Sequence, residues 1–149
     1  MRREEAECTI SRFSALPFVD QRFIVLAGVS EGAVTAATWP CKTVTARMAM
    51  AWNCEPGYFM KDATMAGNPD ETPFLNLIGY RDNFFGPHAK LNEGDNIAGH
   101  GAEALQNFKR AKVIIYPTAG HRILEHNETE HDVVQFLRQW RNHYINGTP

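Results

Sequence analysis

The chain is predicted to be an α/β protein, three layers deep, built around a mostly parallel sheet of about four strands. Three observations carry this prediction. Apolar runs of strand length lie at about 23–27, 46–52, 74–79 and 112–116, and the segments between them carry helical spacing or turn residues, an alternation that specifies parallel pairing. The run Phe23-Ile24-Val25-Leu26-Ala27 enters Gly28-Val29-Ser30-Glu31-Gly32, and small residues follow, which is the pattern of a strand, a sharp turn and a helix. A chain of 149 residues is long enough to bury roughly two thirds of its unfolded surface in one core, so residues 1–149 are expected to form one domain.

The elements follow in order. Arg2-Arg3-Glu4-Glu5-Ala6-Glu7 opens a helix, and Ala6, Ile10 and Phe13 at i, i+4 and i+7 form a stripe expected to pack on the sheet. The first strand lies at 23–27. Ala33 to Thr38 reads as a helix of small residues that can approach a sheet closely, ended by Trp39-Pro40. Arg47-Met48-Ala49-Met50-Ala51-Trp52 supplies the second strand, although Met and Ala are poor strand formers. From Asn53 to Thr72, a stretch with Pro56, Gly57, Gly67, Asn68 and Pro69 reads as a long loop. Loops of that length are often functional, and this one is expected over the sheet edge that carries the site. The third strand is 74–79. Ala102 to Lys109 is expected to be a short helix, with Lys109, Arg110 and Lys112 closing it and entering the fourth strand, since cations suit a helix C-terminus. In the last helix Thr129 is the expected N-cap, and Val133, Phe136, Leu137, Trp140 and Tyr144 share one apolar face.

The chemistry-bearing residues sit at the strand ends. A serine in G-x-S-x-G stands on a bend so tight that its hydroxyl projects from the backbone, and Gly28 and Gly32 are expected to remove Cβ atoms that would clash there. The Glu31 N–H would then open the next helix and face a developing oxyanion. Phe74-Leu75-Asn76-Leu77-Ile78-Gly79 is followed at once by Tyr80-Arg81-Asp82, and Val113-Ile114-Ile115-Tyr116 by Pro117-Thr118-Ala119-Gly120-His121. Ser30, Asp82 and His121 therefore each lie just past the C-terminal end of a parallel strand, the edge where ligands gather in open α/β sheets. A serine nucleophile, a histidine base and an orienting carboxylate are the parts acyl transfer needs. Asp95 and Glu93 are alternative acids, one loop away. Phe84 and Phe85 read either as the lining of an acyl or alcohol pocket or as core.

The chain order Ser, Asp, His is that of α/β-hydrolases. From about residue 3 to 145 the chain resembles the C-terminal half of that fold and is most similar to its dienelactone-hydrolase-like branch. The resemblance rests on Leu16-Pro17-Phe18-Val19-Asp20, Gly28-Val29-Ser30-Glu31-Gly32, Gly79-Tyr80-Arg81-Asp82 and Ala119-Gly120-His121. It implies an esterase-like serine hydrolase needing no cofactor and acting on an ester or related acyl bond, since dienelactone hydrolases proper carry cysteine where this chain has Ser30. It also implies an earlier half of the fold, including the loop that gives the second oxyanion N–H, so the chain is expected to be truncated and weak alone. The alternative is an inactive fragment or non-enzymatic α/β module that retains these residues. With four strands the elbow strand at 23–27 becomes an edge, expected to recruit a second copy or a complementary N-terminal chain.

Composition narrows the partners. Hydrophobic residues make up 44% and charged residues 21% of the chain, the profile of an ordinary globular domain. A net charge of −2 argues against a nucleic-acid or anionic-membrane partner, and no apolar run reaches the roughly 18 residues of a membrane helix. The three cysteines, Cys8, Cys41 and Cys54, form no C-x-x-C pair and no disulfide framework, which speaks for a reducing, cytoplasmic compartment. Cys54 follows a strand end, near the expected site, with no base placed for it. No metal site is expected: His126 and His131 are five apart in an acidic run that suits a solvated helix start. His88, His100 and His143 have no partner identifiable from spacing.

Overall fold

The computed structural model describes residues 3–57, 60–90 and 97–146. Strands β1 (Val25–Val29), β2 (Ala46–Met50), β3 (Phe74–Gly79) and β4 (Ala111–Tyr116) form one sheet in the order β1-β2-β3-β4, and every neighbouring pair is parallel. Helix α1 (Arg3–Ser14) precedes β1, α2 (Glu31–Thr38) joins β1 to β2, and α3 (Thr129–Asn146) ends the described chain after a 3₁₀ turn at Ile123–Glu125. Among the described residues no helix is long and apolar enough to cross a membrane.

Side-chain alternation along the strands creates the layers. In β3, Phe74 and Ile78 join Ala33, Val34, Ala37 and Ala49 on the α2 face, while Leu75 and Leu77 join Met48, Met50, Phe136 and Trp140 on the α3 face. Those four β3 side chains are completely buried, each stabilising the fold by about 1.5–3 kcal/mol. Being covered on both faces explains why β3 reads as a continuous apolar run rather than an alternating one.

Strand and helix limits move where pairing, rather than composition, sets them. β1 runs 25–29 instead of 23–27 because Val25 to Val29 pair in register with Ala46 to Met50. α2 consequently starts at Glu31, immediately after Ser30. β2 stops at Met50, because Ala51 turns to a positive φ of 52° and leaves the strand geometry.

Five expectations are corrected. Ala102 to Lys109 is a series of turns rather than a helix: the Leu105 N–H reaches the Gly101 carbonyl, but Gln106 and Phe108 bond three residues back, to Glu103 and Leu105. Buried Leu105 and Phe108 anchor these turns to the α2-side core, and Lys109 pairs with Asp70 at 2.8 Å. The α1 stripe does not bury itself, for Ala6 and Ile10 are half-buried and Phe13 is 59% exposed. Thr129 does not cap α3 with its side chain; its hydroxyl donates to the Ile123 carbonyl at 2.7 Å, tying the helix to the preceding turn. Tyr144 is exposed, leaving Phe136 and Trp140 as the fully buried members of the α3 face. Among the described residues, the 53–72 stretch touches the candidate-site edge of the sheet only where it begins. It then passes along α2, where the Ala66 N–H donates to the Ala37 carbonyl, and returns to the start of β3. It is the crossover between two parallel strands, a task usually given to a helix.

Candidate active site

The bend at Ser30 is built by sheet and helix together. The Ser30 N–H donates to the Met50 carbonyl at 2.9 Å, extending the β1–β2 ladder by one bond, and the Ser30 carbonyl already accepts from Ala33 at 2.9 Å in the first turn of α2. One residue thus ends a strand and starts a helix. The result is φ 56°, ψ −121° at Ser30, a conformation costing about 1–3 kcal/mol for a residue with a Cβ. Gly28 is required by close approach, because a Cβ there would run into the backbone of Gly32 and Ala33. Gly32 is different: a Cβ there meets nothing within 4 Å, so the tight fit lies between the Gly28 α-carbon and the helix backbone, and Gly32 needs no missing side chain.

Asp82 is 2% exposed and lies in the turn after β3. Its N–H donates to the Gly79 carbonyl at 3.0 Å and its carbonyl accepts from Gly86 at 3.0 Å. The Phe84 and Phe85 N–H groups donate to Oδ1 at 2.8 and 3.0 Å, an Asx-type turn that satisfies one carboxylate oxygen inside the protein. The other oxygen, Oδ2, lies 2.8 Å from His121 Nδ1. A buried carboxylate needs such partners to stay ionised.

His121 follows β4, held by the Ile123 N–H on its own carbonyl at 2.8 Å and by the complete burial of Ile123. Its side chain is 27% exposed, and its Nε2 lies 3.0 Å from Ser30 Oγ. An ionised carboxylate can only accept, so Nδ1 carries the proton toward Asp82 and Nε2 is left as the acceptor for the Ser30 hydroxyl. Phe84 and Phe85 flank the imidazole, with ring centroids 4.8 and 5.8 Å away. Phe85 is buried core, whereas Phe84 is 44% exposed and forms the open wall beside the ring. Glu31 is the first residue of α2, so its N–H is among those the helix leaves unbonded at its start.

Ser30, Asp82 and His121 are therefore joined in one hydrogen-bonded chain across three loops. The alternative acids Glu93 and Asp95 lie outside the described residues. Cys54 is buried in the α2-side core, and burial pushes its thiol well above the ordinary range, which keeps it neutral and unreactive. Cys8, Cys41 and Cys54 are free thiols, and no three His, Cys, Asp or Glu side chains are grouped as a metal would require among the described residues.

Several supporting contacts had no clear sign in the sequence. A Cβ on Gly79 would strike the Ala119 carbonyl, and one on Gly86 would come within 2.6 Å of the Asp82 carbonyl. Both glycines let the Asp82 and His121 turns close, and their position at strand end and turn end was the available signal. His88 Nε2 pairs with the Tyr80 hydroxyl at 2.6 Å. Asn76, fully buried in β3, donates to the Ala49 and Trp52 carbonyls and accepts from the Gly101 N–H, holding the end of β2 in its bend. Glu55 accepts from the Ala98 and Gly99 N–H groups at 2.7 and 2.8 Å and from Asn53 at 2.8 Å. The chain matches no family model, no curated protein and no solved structure.

Proposed function

We propose that the chain is a serine hydrolase of the α/β-hydrolase type, close to the dienelactone-hydrolase-like branch, cleaving an ester or related acyl bond. The observation that carries the reading is the unbroken path from Ser30 Oγ through His121, 3.0 Å on one side and 2.8 Å on the other, to a buried Asp82. In this mechanism His121 Nε2 takes the hydroxyl proton as Ser30 Oγ bonds to the acyl carbon. The carbonyl electrons move onto oxygen, which the Glu31 N–H stabilises. Collapse expels the alcohol, protonated by His121, and leaves an acyl-Ser30 ester. Water, deprotonated by the same nitrogen, then releases the acid. Asp82 fixes the tautomer and offsets the imidazolium charge.

Losing one of two oxyanion donors costs about 3–4 kcal/mol, or roughly 100- to 1000-fold in rate, so full turnover needs a second N–H beside that of Glu31. The half-exposed Phe84 beside His121 suits a small substrate with an apolar acyl or alcohol part. The position of β1 at the sheet edge supports a partner strand from a second copy or a complementary N-terminal chain, and the three free thiols support a cytoplasmic location. Labelling with a fluorophosphonate tests the reading, since it needs a competent Ser–His pair and little substrate fit. Covalent modification of Ser30, lost in Ser30→Ala, is the expected result. An unlabelled Ser30 under conditions where a known serine esterase reacts would favour the inactive-module alternative.

A further inference from the structure

At the opposite end of the strands from Ser30, an open cleft of about 820 Å³ is lined by Lys42, Arg47, Arg110 and His143, with Glu71 as its one carboxylate. The basic residues arrive from separate parts of the chain: Lys42 from the α2–β2 connection, Arg47 from β2, Arg110 from the residue before β4, and His143 from α3. Lys42, Arg47 and Arg110 are in no ion pair among the described residues.

Arg47 is the unusual member. It is 1% exposed and sits in the α2-facing register of a strand that is otherwise Ala and Met. Its Nη1 donates to the Ala36 carbonyl at 2.6 Å, in the last turn of α2, where the helix end offers a partial negative charge. Its Nε is buried and has no hydrogen-bond partner. A guanidinium has five N–H donors and stays charged at neutral pH, so a single carbonyl leaves most of its charge and donor capacity unanswered. Buried charges are ordinarily paired, and burial draws the Arg47 pKa down to about 10.

We propose that this cleft binds a phosphate group, either free phosphate or a small phosphate monoester, with Arg47 in its floor and Lys42, Arg110 and His143 around its rim. Phosphate suits it better than a carboxylate does. Three cations against one Glu71 call for more than one negative charge, and a phosphate monoester carries about −1.5 to −2 at neutral pH with three acceptor oxygens. The cleft is separated from Ser30 by the length of a strand, roughly 17–20 Å, so it is a second site and not an extension of the first.

The experiment is calorimetric titration of the phosphate-free protein with inorganic phosphate, then with phenyl phosphate, against chloride at matched ionic strength. Saturable one-to-one binding of either phosphate is expected. A Lys42→Gln/Arg110→Gln double variant, which leaves buried Arg47 and the core untouched, should bind at least tenfold more weakly with an unchanged circular dichroism spectrum. Ser30→Ala should bind as the parent does. The proposal is overturned by an absence of saturable binding, by undiminished affinity in the double variant, by loss of binding in Ser30→Ala, or by benzoate displacing phosphate at comparable concentration.

Discussion

The Arg81 N–H donates to the Ala119 carbonyl at 3.0 Å, one residue before Asp82 and two before His121. The turn that carries the acid and the turn that carries the imidazole are therefore joined by backbone, and the Tyr80 N–H on the Tyr116 carbonyl at 2.9 Å continues the β3–β4 ladder into the same junction. The distance between Asp82 and His121 is a property of the main chain rather than of their side chains.

That junction separates geometry from chemistry at Asp82. Asp82→Asn should keep the turn, because the amide oxygen can still accept from Phe84 and Phe85, and the unfolding midpoint should shift little. Facing His121 Nδ1 with an NH₂ group reverses the tautomer, and kcat on an activated ester should fall by about 10⁴-fold. Steady-state kinetics beside a denaturation curve checks both halves. A large stability loss with modest kinetic loss would show Asp82 to be a turn residue alone.

Ser30→Ala and His121→Ala should each abolish burst-phase hydrolysis of a short activated ester, and the double variant should be no slower than either. Residues that act as a unit do not add. Additive losses would mean that the two side chains contribute independently.

Gly28 and Gly32 should respond very differently to alanine. A Cβ at 28 collides with backbone that cannot move away without shifting α2, so Gly28→Ala should cost several kcal/mol, about 3 or more, or prevent folding. Gly32→Ala enters open space in a helix and should be neutral or stabilising by about 0.5–1 kcal/mol. Urea titration of the two variants reads the contrast directly.

Much of the architecture was legible because its signals are local. β3 declares itself as an apolar run with Gly79 at its end, and the turns holding Ser30, Asp82 and His121 each follow a strand, so the parallel sheet brings all three to one edge. What was illegible depends on partners distant in sequence. The limits of β1 come from its register with β2. The turns at 102–109 have helix-compatible composition, and the burial of Leu105 and Phe108 in the core is a long-range contact that composition does not show. The roles of Gly28 and Gly32 separate only once α2 is known to lie against the Gly28 α-carbon. Arg47 in an Ala-Met strand gave no hint that its charge would be buried.

Alkaline pH should destabilise the fold. Burial raises the Cys54 thiol, and burial followed by its hydrogen bond to Asp132 raises the Tyr116 hydroxyl. With both folded pKa values above the ordinary 9.0 and 10.0, the folded chain keeps protons that the unfolded chain releases. Their contribution is complete below about pH 8 and declines as pH rises beyond 9, by up to ~1.4 kcal/mol per pH unit for each group. Arg47, whose pKa is lowered, acts in the opposite sense only above about 10. Urea midpoints between pH 7 and 10 should fall, with Cys54→Ala removing the part that begins near 9. A flat profile would contradict the burial of that thiol.

The free edge of β1 predicts association. Among the described residues Val25 to Val29 pair on one side only, with β2, and Ala27 is exposed, leaving a short apolar strand edge of the kind that accepts another strand. Sedimentation at micromolar concentration should show dimers or larger species, and Ala27→Pro, which removes an N–H on the side of the strand away from β2, should reduce them. A stable monomer at those concentrations would mean that this edge is closed by other means.

The left-handed backbone at Ser30 sets two demands against each other. Glycine adopts that conformation freely, so in a library randomised at position 30 and screened for folding alone, glycine should rise to the top and serine should be depleted. Screened for reaction with a fluorophosphonate, the same library should return serine, with cysteine its nearest competitor. The gap between the two rankings is a direct readout of how much conformational freedom the chain gives up to keep a hydroxyl at that bend.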